Sequence, residues 1–280
     1  MPIRVSIFSD EVSADFKEAV RLSAEAGATG LELRGHMFGK SIAAIDNNDV
    51  ARIKDLCASY GAQVAVIGSP VGKCDMTDPE ECRQHQVLFR RMVELAHAFD
   101  TRLIRGFALW HPDGERALEQ VRPNLDEHLP RIVAFLQPII QVAEIEGVRF
   151  CLETEGTTMV GTCAEARKVM DALGNLPALG VAWDINNGLS CGESPYPEGY
   201  ELIRHKVYHV HVKPNAEKSL STVGDSGLTY EQLLTALRKD GYDGWASIEH
   251  WGEPEHMLKG VRELIQVLQR VSLSCAGDQE

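Results

Sequence analysis

Along this chain the apolar positions obey two periods in turn, and the alternation between them is regular from end to end. Short, mostly apolar runs fall at 3–8, 30–34, 63–67, 102–107, 148–153, 179–184, 208–213 and 245–249. Their length and apolar character predict strands of a parallel sheet covered by helices. Between them the period lengthens to that of an α-helix. In 15–26, for example, Phe16, Ala19, Val20, Leu22 and Ser23 line one stripe and Gly27 stops it. The same reasoning predicts helices over 48–60, 79–99, 124–146, 163–173, 199–205, 230–239 and 255–271. Asn47 or Asn48 is the expected cap of the second helix and Gly61 its stop. Pro130 and Pro138 fall inside the fourth, which predicts a kink or a break there. Polar connections remain at 109–123, 188–197 and 215–227.

Strands alternating with helices in this way predict an α/β fold. At this chain length the closed (β/α)8 TIM barrel, typically ~250 residues, fits better than an open doubly wound sheet. No Gly-x-Gly-x-x-Gly follows the first strand, so a dinucleotide fold loses support. With 44% hydrophobic and 25% charged residues the chain can fill a core and is not disordered by composition. No linker, repeat or low-complexity stretch divides it. Residues 1–280 are therefore expected to form a single TIM-barrel domain with a frayed tail from about 272.

One strand departs from the apolar rule. Tyr208-His209-Val210-His211-Val212-Lys213 alternates polar with β-branched residues, so His209, His211 and Lys213 share a face. Two imidazoles and a cation stand where a core strand would carry Val or Leu. Three other strand-like runs end in a carboxylate, at Glu153, Asp184 and Glu249. In a (β/α)8 barrel the C-terminal strand ends surround the active site. His211 lies nearer that end than His209, which is expected in the layer beneath as a hydrogen-bond partner. Three converging carboxylates would repel one another, and burial would push some to protonate. A single divalent cation removes the conflict. Two Glu, one Asp and one His make a mostly hard-oxygen set suited to Mn2+ or Mg2+, with Zn2+ or Co2+ as alternatives. Each feature alone has a plain structural reading, such as a solvated cap or a satisfied core pair. Four of them on four consecutive strands point to a metal.

The net charge of −13 counts against a nucleic-acid binder, which usually carries excess Lys and Arg. Seven cysteines, without a Cys-x-x-Cys pair, read as reduced thiols of a cytosolic protein. The N-terminus turns acidic after one short apolar run, and no apolar stretch approaches the ~18 residues of a membrane span. A cytoplasmic protein without a membrane or nucleic-acid partner is the expectation.

Several stretches together carry a resemblance: Gly30-Leu31-Glu32-Leu33-Arg34, Ile67-Gly68-Ser69-Pro70-Val71-Gly72-Lys73, Leu152-Glu153-Thr154-Glu155-Gly156, Trp183-Asp184-Ile185-Asn186-Asn187, the His-x-His-x-Lys strand, and 241–249. The chain resembles, nearly end to end, the xylose-isomerase-like TIM-barrel superfamily in its sugar phosphate isomerase/epimerase branch. The resemblance implies Glu153, Asp184, His211 and Glu249 as metal ligands, in agreement with the strand-end argument. It also implies carbohydrate metabolism: proton removal beside a carbonyl of a sugar, keto-sugar or cyclitol. A metal on both oxygens then lowers the cost of the ene-diolate. Glu153 and Glu249 are the expected proton-transfer pair. Reprotonation on the other face gives an epimerase, on the neighbouring carbon an isomerase. Loss of a β-leaving group instead gives a dehydratase or lyase. Two departures bear on this. Pro214 replaces the Asp that commonly follows His-x-His-x-Lys, and Met159 stands where ketohexose epimerases often carry a further Glu, a role Glu155 would fill only in part.

Supporting residues have open roles at this point. Lys213 could hold a substrate oxygen or be a surface lysine, and Asn187 could contact a hydroxyl or belong to a turn. Arg105, a charge inside a strand, has either a site role or a structural pairing with Glu32. Glu32, like His209, is expected to support the ligands from behind. Lys73 could meet an anion. Trp110 and His111 could line the pocket, and Trp251 could stack on a sugar face or pack at the rim. Three other functions compete. An apurinic endonuclease on the same barrel would need a His-rich multi-zinc set and a basic surface, whereas the loops after the second and third strands offer only His36. A non-catalytic sugar-binding barrel would keep the pocket without needing Glu153 and Glu249. A lyase on a keto-cyclitol or 3-keto-glycoside shares the first step with an isomerase. Barrels of this kind are often dimers or tetramers, so a homo-oligomer is compatible with the sequence.

Overall fold

Every predicted apolar run becomes a strand of one sheet in the computed structural model, which describes residues 2–113 and 121–277. The strands are β1 (Arg4–Phe8), β2 (Gly30–Leu33), β3 (Gln63–Gly68), β4 (Leu103–Gly106), β5 (Arg149–Glu153), β6 (Leu179–Asp184), β7 (Val207–Val212) and β8 (Trp245–Ile248). They are parallel and close in sequence order, β1 pairing with both β2 and β8. The helices are α1 (Phe16–Ala26), α2 (Asn47–Ser59), α3 (Pro79–Ala98), α4 (Leu125–Glu146), α5 (Cys163–Ala172), α6 (Ile185–Ser190), α7 (Tyr200–Ile203), α8 (Tyr230–Lys239) and α9 (Pro254–Gly277). The protein is thus a (β/α)8 barrel.

Local chemistry starts the helices where an oxygen can meet their unsatisfied N–H groups. Asp15, Asp78, Thr162 and Thr229 cap α1, α3, α5 and α8. Thr162 with Glu165 and Thr229 with Gln232 form reciprocal capping boxes. The cap of α2 is Asp46, not Asn47 or Asn48. Its carboxylate takes the N–H groups of Asn48 and Asp49, and Asp49 answers on the Asp46 N–H. A carboxylate one residue earlier outcompetes the amides because it also suits the positive helix end.

Three further expectations change. α4 continues through Pro130 and Pro138 as one helix. Gln86 donates to the Phe135 carbonyl in the turn that Pro138 disturbs, one route by which such a helix survives its prolines. The connection after β6 is not all loop: α6 begins directly after Asp184, because Asp184 itself is the cap. α9 runs past Val271 to Gly277, since no proline or earlier glycine interrupts 272–276. Of the polar connection 109–123, residues 114–120 lie outside the described residues.

The chain forms two compact units, residues 1–65 with 209–280 and residues 66–208. In the first, β1, β2, β7 and β8 send Val5, Ile7, Leu31, Leu33, Val210, Val212, Ala246 and Ile248 to one face, all buried. The opposite face carries Ser6, Glu32, His209, His211 and Ser247, also fully buried but polar. Ser6 and Ser247 hydrogen-bond through their hydroxyls at 2.6 Å. β2 and β7 are separated in the sheet by β1 and β8, yet Glu32 and His209 meet at 2.8 Å, so this polar face is the barrel's interior. In the second unit, Arg105 pairs in register with Cys151, and Glu153 with Ala182. The loop after β3 presses so close to β4 that a Cβ on Gly72 would stand 1.9 Å from the Phe107 carbonyl oxygen. Only glycine fits there, at φ 90°.

Candidate active site

On the first unit, the polar interior face continues past the strand ends. His209 and His211 lie two residues apart on β7 with both rings fully buried, 5.0 Å apart and nearly perpendicular. His209 Nε2 bonds Glu32 Oε2 at 2.8 Å, and His211 Nε2 lies 3.4 Å from the same oxygen. Burial pulls the Glu32 carboxyl upward, but the two imidazoles outweigh it and hold the group well below the usual carboxylate range. His211 Nδ1 faces the other way, 3.4 Å from Glu249 Oε2. His211 is therefore the upper imidazole and His209 the lower, as the strand period predicts.

Glu249, just beyond β8 and 2% exposed, meets two cations and an imidazole. Lys213 Nζ is 3.7 Å from its Oε2, and Arg34 Nη1 is 3.3 Å from its Oε1. His250 Nε2 is 3.7 Å from the same Oε1. Lys213 itself is held by Tyr230, whose hydroxyl accepts from the Lys213 N–H at 3.0 Å and donates to its carbonyl at 2.7 Å. Arg34 also donates to Asp10 at 2.9 Å and to Glu11 at 2.7 Å. Burial works against the Arg34 charge, but these carboxylates overcome it and hold its pKa above the ordinary value. Sequence reasoning assigned no role to Arg34, Asp10 or Glu11. The signal was present: Arg34 lies two residues beyond Glu32 on the same face, and Asp10 and Glu11 follow the end of β1.

On the second unit, Arg105 Nη1 donates to Glu153 Oε2 at 2.7 Å with both side chains buried. Glu153 is thus a partner that Arg105 meets. Asp184 ends β6 and turns the chain into α6. Its Oδ1 accepts from the Asn187 N–H at 2.9 Å, while its own N–H and carbonyl exchange hydrogen bonds with the Thr154 hydroxyl at 3.0 and 3.1 Å. Asn187 Nδ2 donates to the Thr154 carbonyl at 2.9 Å, so Asn187 ties the two strand ends together. Glu155 accepts from Thr157 and lies 3.7 Å from Lys73, whose ammonium sits over the rings of Phe107 and Trp110 at 4.4 and 5.3 Å. Met159 is fully buried.

Two expected substrate contacts do not fit. The His111 Nδ1 accepts from the Asp113 N–H at 3.1 Å, which leaves its Nε2 as the donor to the Val121 carbonyl at 3.0 Å. Both ring nitrogens are committed to the backbone, so His111 staples its loop. Trp251 is fully buried, donates to the Val212 carbonyl at 3.1 Å and packs on Gly260 of α9, where a Cβ would lie 2.6 Å from the ring. It has no open face for a sugar. The strand period carried no information about either residue, because both lie in loops.

The remaining donors are carboxylate oxygens and one imidazole, a set suited to a hard divalent cation. Glu249 Oε2 is buried and accepts no hydrogen bond among the described residues, as an oxygen reserved for a cation would.

Comparison with known proteins agrees with this fold. A family model described as a xylose isomerase-like TIM barrel matches residues 20–271. No curated protein sequence matches the chain. Among solved structures, a 3-keto-D-glucoside 4-epimerase from E. coli is 20% identical with a TM-score of 0.71, over 96% of this chain and 99% of that one. A xylose isomerase-like TIM-barrel protein from Mycobacterium smegmatis, solved in complex with magnesium, is 16% identical with a TM-score of 0.73, over 96% and 97%. A probable 3-DHS dehydratase from Bacillus anthracis is 16% identical with a TM-score of 0.70, over 94% and 99%. At these identities the likeness is one of fold.

Proposed function

The chain belongs to the xylose isomerase-like TIM-barrel family, and from that premise we propose that it is a divalent-metal-dependent isomerase or epimerase of a sugar, keto-sugar or cyclitol. Glu153, Asp184, His211 and Glu249 are the proposed ligands. The observation that carries the reading is that buried donors end four successive strands: in the first unit His211 Nδ1 and Glu249 Oε2 lie 3.4 Å apart, and in the second Glu153 and Asp184 end the paired strands β5 and β6. Buried carboxylates gathered at strand ends repel one another, a cost that a divalent cation among them would remove.

When bound, Mn2+ or Mg2+ would act as a Lewis acid on the vicinal oxygens of the substrate. The chain's own residues do the rest. Arg105 takes one oxygen of Glu153 at 2.7 Å and so fixes the orientation of that carboxylate. Glu249, with Lys213 beside the oxygen that accepts no hydrogen bond, serves as the second proton-transfer group. Lys213 is placed to hold a substrate oxygen. Glu32 and His209 set the tilt of His211 from beneath. Lys73, Glu155 and Asn187 fix the rim after β3, β5 and β6.

Elimination from the same carbanion is the second reading. Buried Met159 favours it, because it stands where a further acid would serve a free ketose. Two measurements test the proposal. Elemental analysis of the purified protein should find one bound divalent cation per chain. A panel of keto-sugars and inososes in deuterium oxide should show metal-dependent exchange at a carbon beside a carbonyl. Exchange with unchanged product mass otherwise supports isomerisation or epimerisation, loss of water or aglycone supports elimination, and metal without any exchange across the panel would sink the catalytic reading.

A further inference from the structure

Arg34 lies at the centre of the acidic group at the ends of β1, β2 and β8. Its Nε meets Asp10 at 2.9 Å, its Nη2 meets Glu11 at 2.7 Å and its Nη1 meets Glu249 Oε1 at 3.3 Å. The guanidinium lies over the Phe8 ring at 4.6 Å, and the edge of that ring contacts His211 at 5.2 Å. Phe8 therefore touches both the guanidinium and the imidazole. His250 closes the group. It adopts φ 58°, donates its N–H to Glu11 Oε2 at 2.7 Å and brings Nε2 to 3.6 Å from Glu11 Oε1.

The arrangement has the donor content of a second cation site. Glu11, Glu249 and His250 each offer a ligand atom within 4.8 Å of the others. In addition, Asp10 Oδ1 is buried and accepts no hydrogen bond among the described residues. A planar, permanently charged and weakly hydrated guanidinium already fills that space. We propose that Arg34 is a built-in substitute for a second divalent cation: it occupies the Asp10–Glu11–Glu249–His250 group, keeps the centre mononuclear, and engages Oε1 of Glu249 so that Oε2 is left for the single metal. The inference rests on Glu249 being a ligand of that metal. It makes Arg34 a positioning residue with a consequence that a structural salt bridge lacks. Without Arg34, the three carboxylates should recruit a cation from solution.

The test is Mn2+ titration of Arg34→Met and Arg34→Gln, which preserve length or polarity without the charge, followed by calorimetry, metal analysis and electron paramagnetic resonance. The wild-type chain and Arg34→Lys are expected to bind one Mn2+. Each neutral variant is expected to bind two, with the dipolar broadening of a neighbouring pair, and to melt at a temperature that rises with Mn2+ more steeply than wild type. Adding Glu11→Gln to either should return the stoichiometry to one. One Mn2+ or none on a folded neutral variant, beside one on wild type, would overturn the role of Arg34 alone. No Mn2+ on the wild-type chain would instead overturn the metal reading on which it rests. Where one neutral variant fails to fold, the other carries the test, and Mn2+-dependent refolding of the failed one is itself an expected result.

Discussion

The strand ends of the two units carry similar carboxylates held in different ways. On β2, β7 and β8, Glu32 and Glu249 are oriented by other side chains: two imidazoles, Lys213 and Arg34. On β5 and β6 the backbone has a larger share. Asp184 is fixed as the cap of α6 and by Thr154, while Glu153 meets the charge of Arg105. The difference teaches that the first set can be retuned by single substitutions without disturbing chain path, whereas truncating Asp184 also disturbs the start of a helix.

The largest effect that would test this comparison is at Glu249. Glu249→Gln keeps its size and is expected to lower solvent deuterium exchange into substrate by about 10²–10⁴-fold while metal still binds. Near-wild-type exchange would show that the proton is moved by another group. On the other unit, Arg105→Met leaves Glu153 buried beside no guanidinium and should cost about 3–5 kcal/mol in urea unfolding without metal. Recovery of most of that loss on adding Mn2+ would sharpen the contrast, because the cation then supplies the missing charge. A smaller effect separates the imidazoles. His209→Ala should weaken metal affinity by about 10–100-fold through lost orientation of His211, and His211→Ala by more; calorimetry giving the reverse order would exchange their roles. The smallest is at Asp184. Asp184→Asn and Asp184→Ala should lose metal alike, but only Ala should lose the helix cap, worth about 1 kcal/mol of stability. Equal melting of the two apo variants would break the claim that this carboxylate serves the backbone as well.

Most of the fold was legible because a parallel barrel is written in local periodicity. The eight apolar runs, the helix over 15–26 and the His-x-His alternation all follow from side-chain geometry within a few residues. The strand-end carboxylates were legible for the same reason. What local pattern could not reach was partnership. It did not say that Arg105 meets Glu153, that Arg34 gathers Asp10, Glu11 and Glu249, or that His111 and Trp251 turn inward to the backbone.

Sequence alone therefore determined which faces are polar and which strand ends carry donors, because both depend on a residue's parity along its own strand. Tertiary structure alone decided which donor pairs with which charge. Those contacts join residues as far apart as Arg34 and Glu249, 215 positions along the chain, and their distances exist only once the sheet has closed.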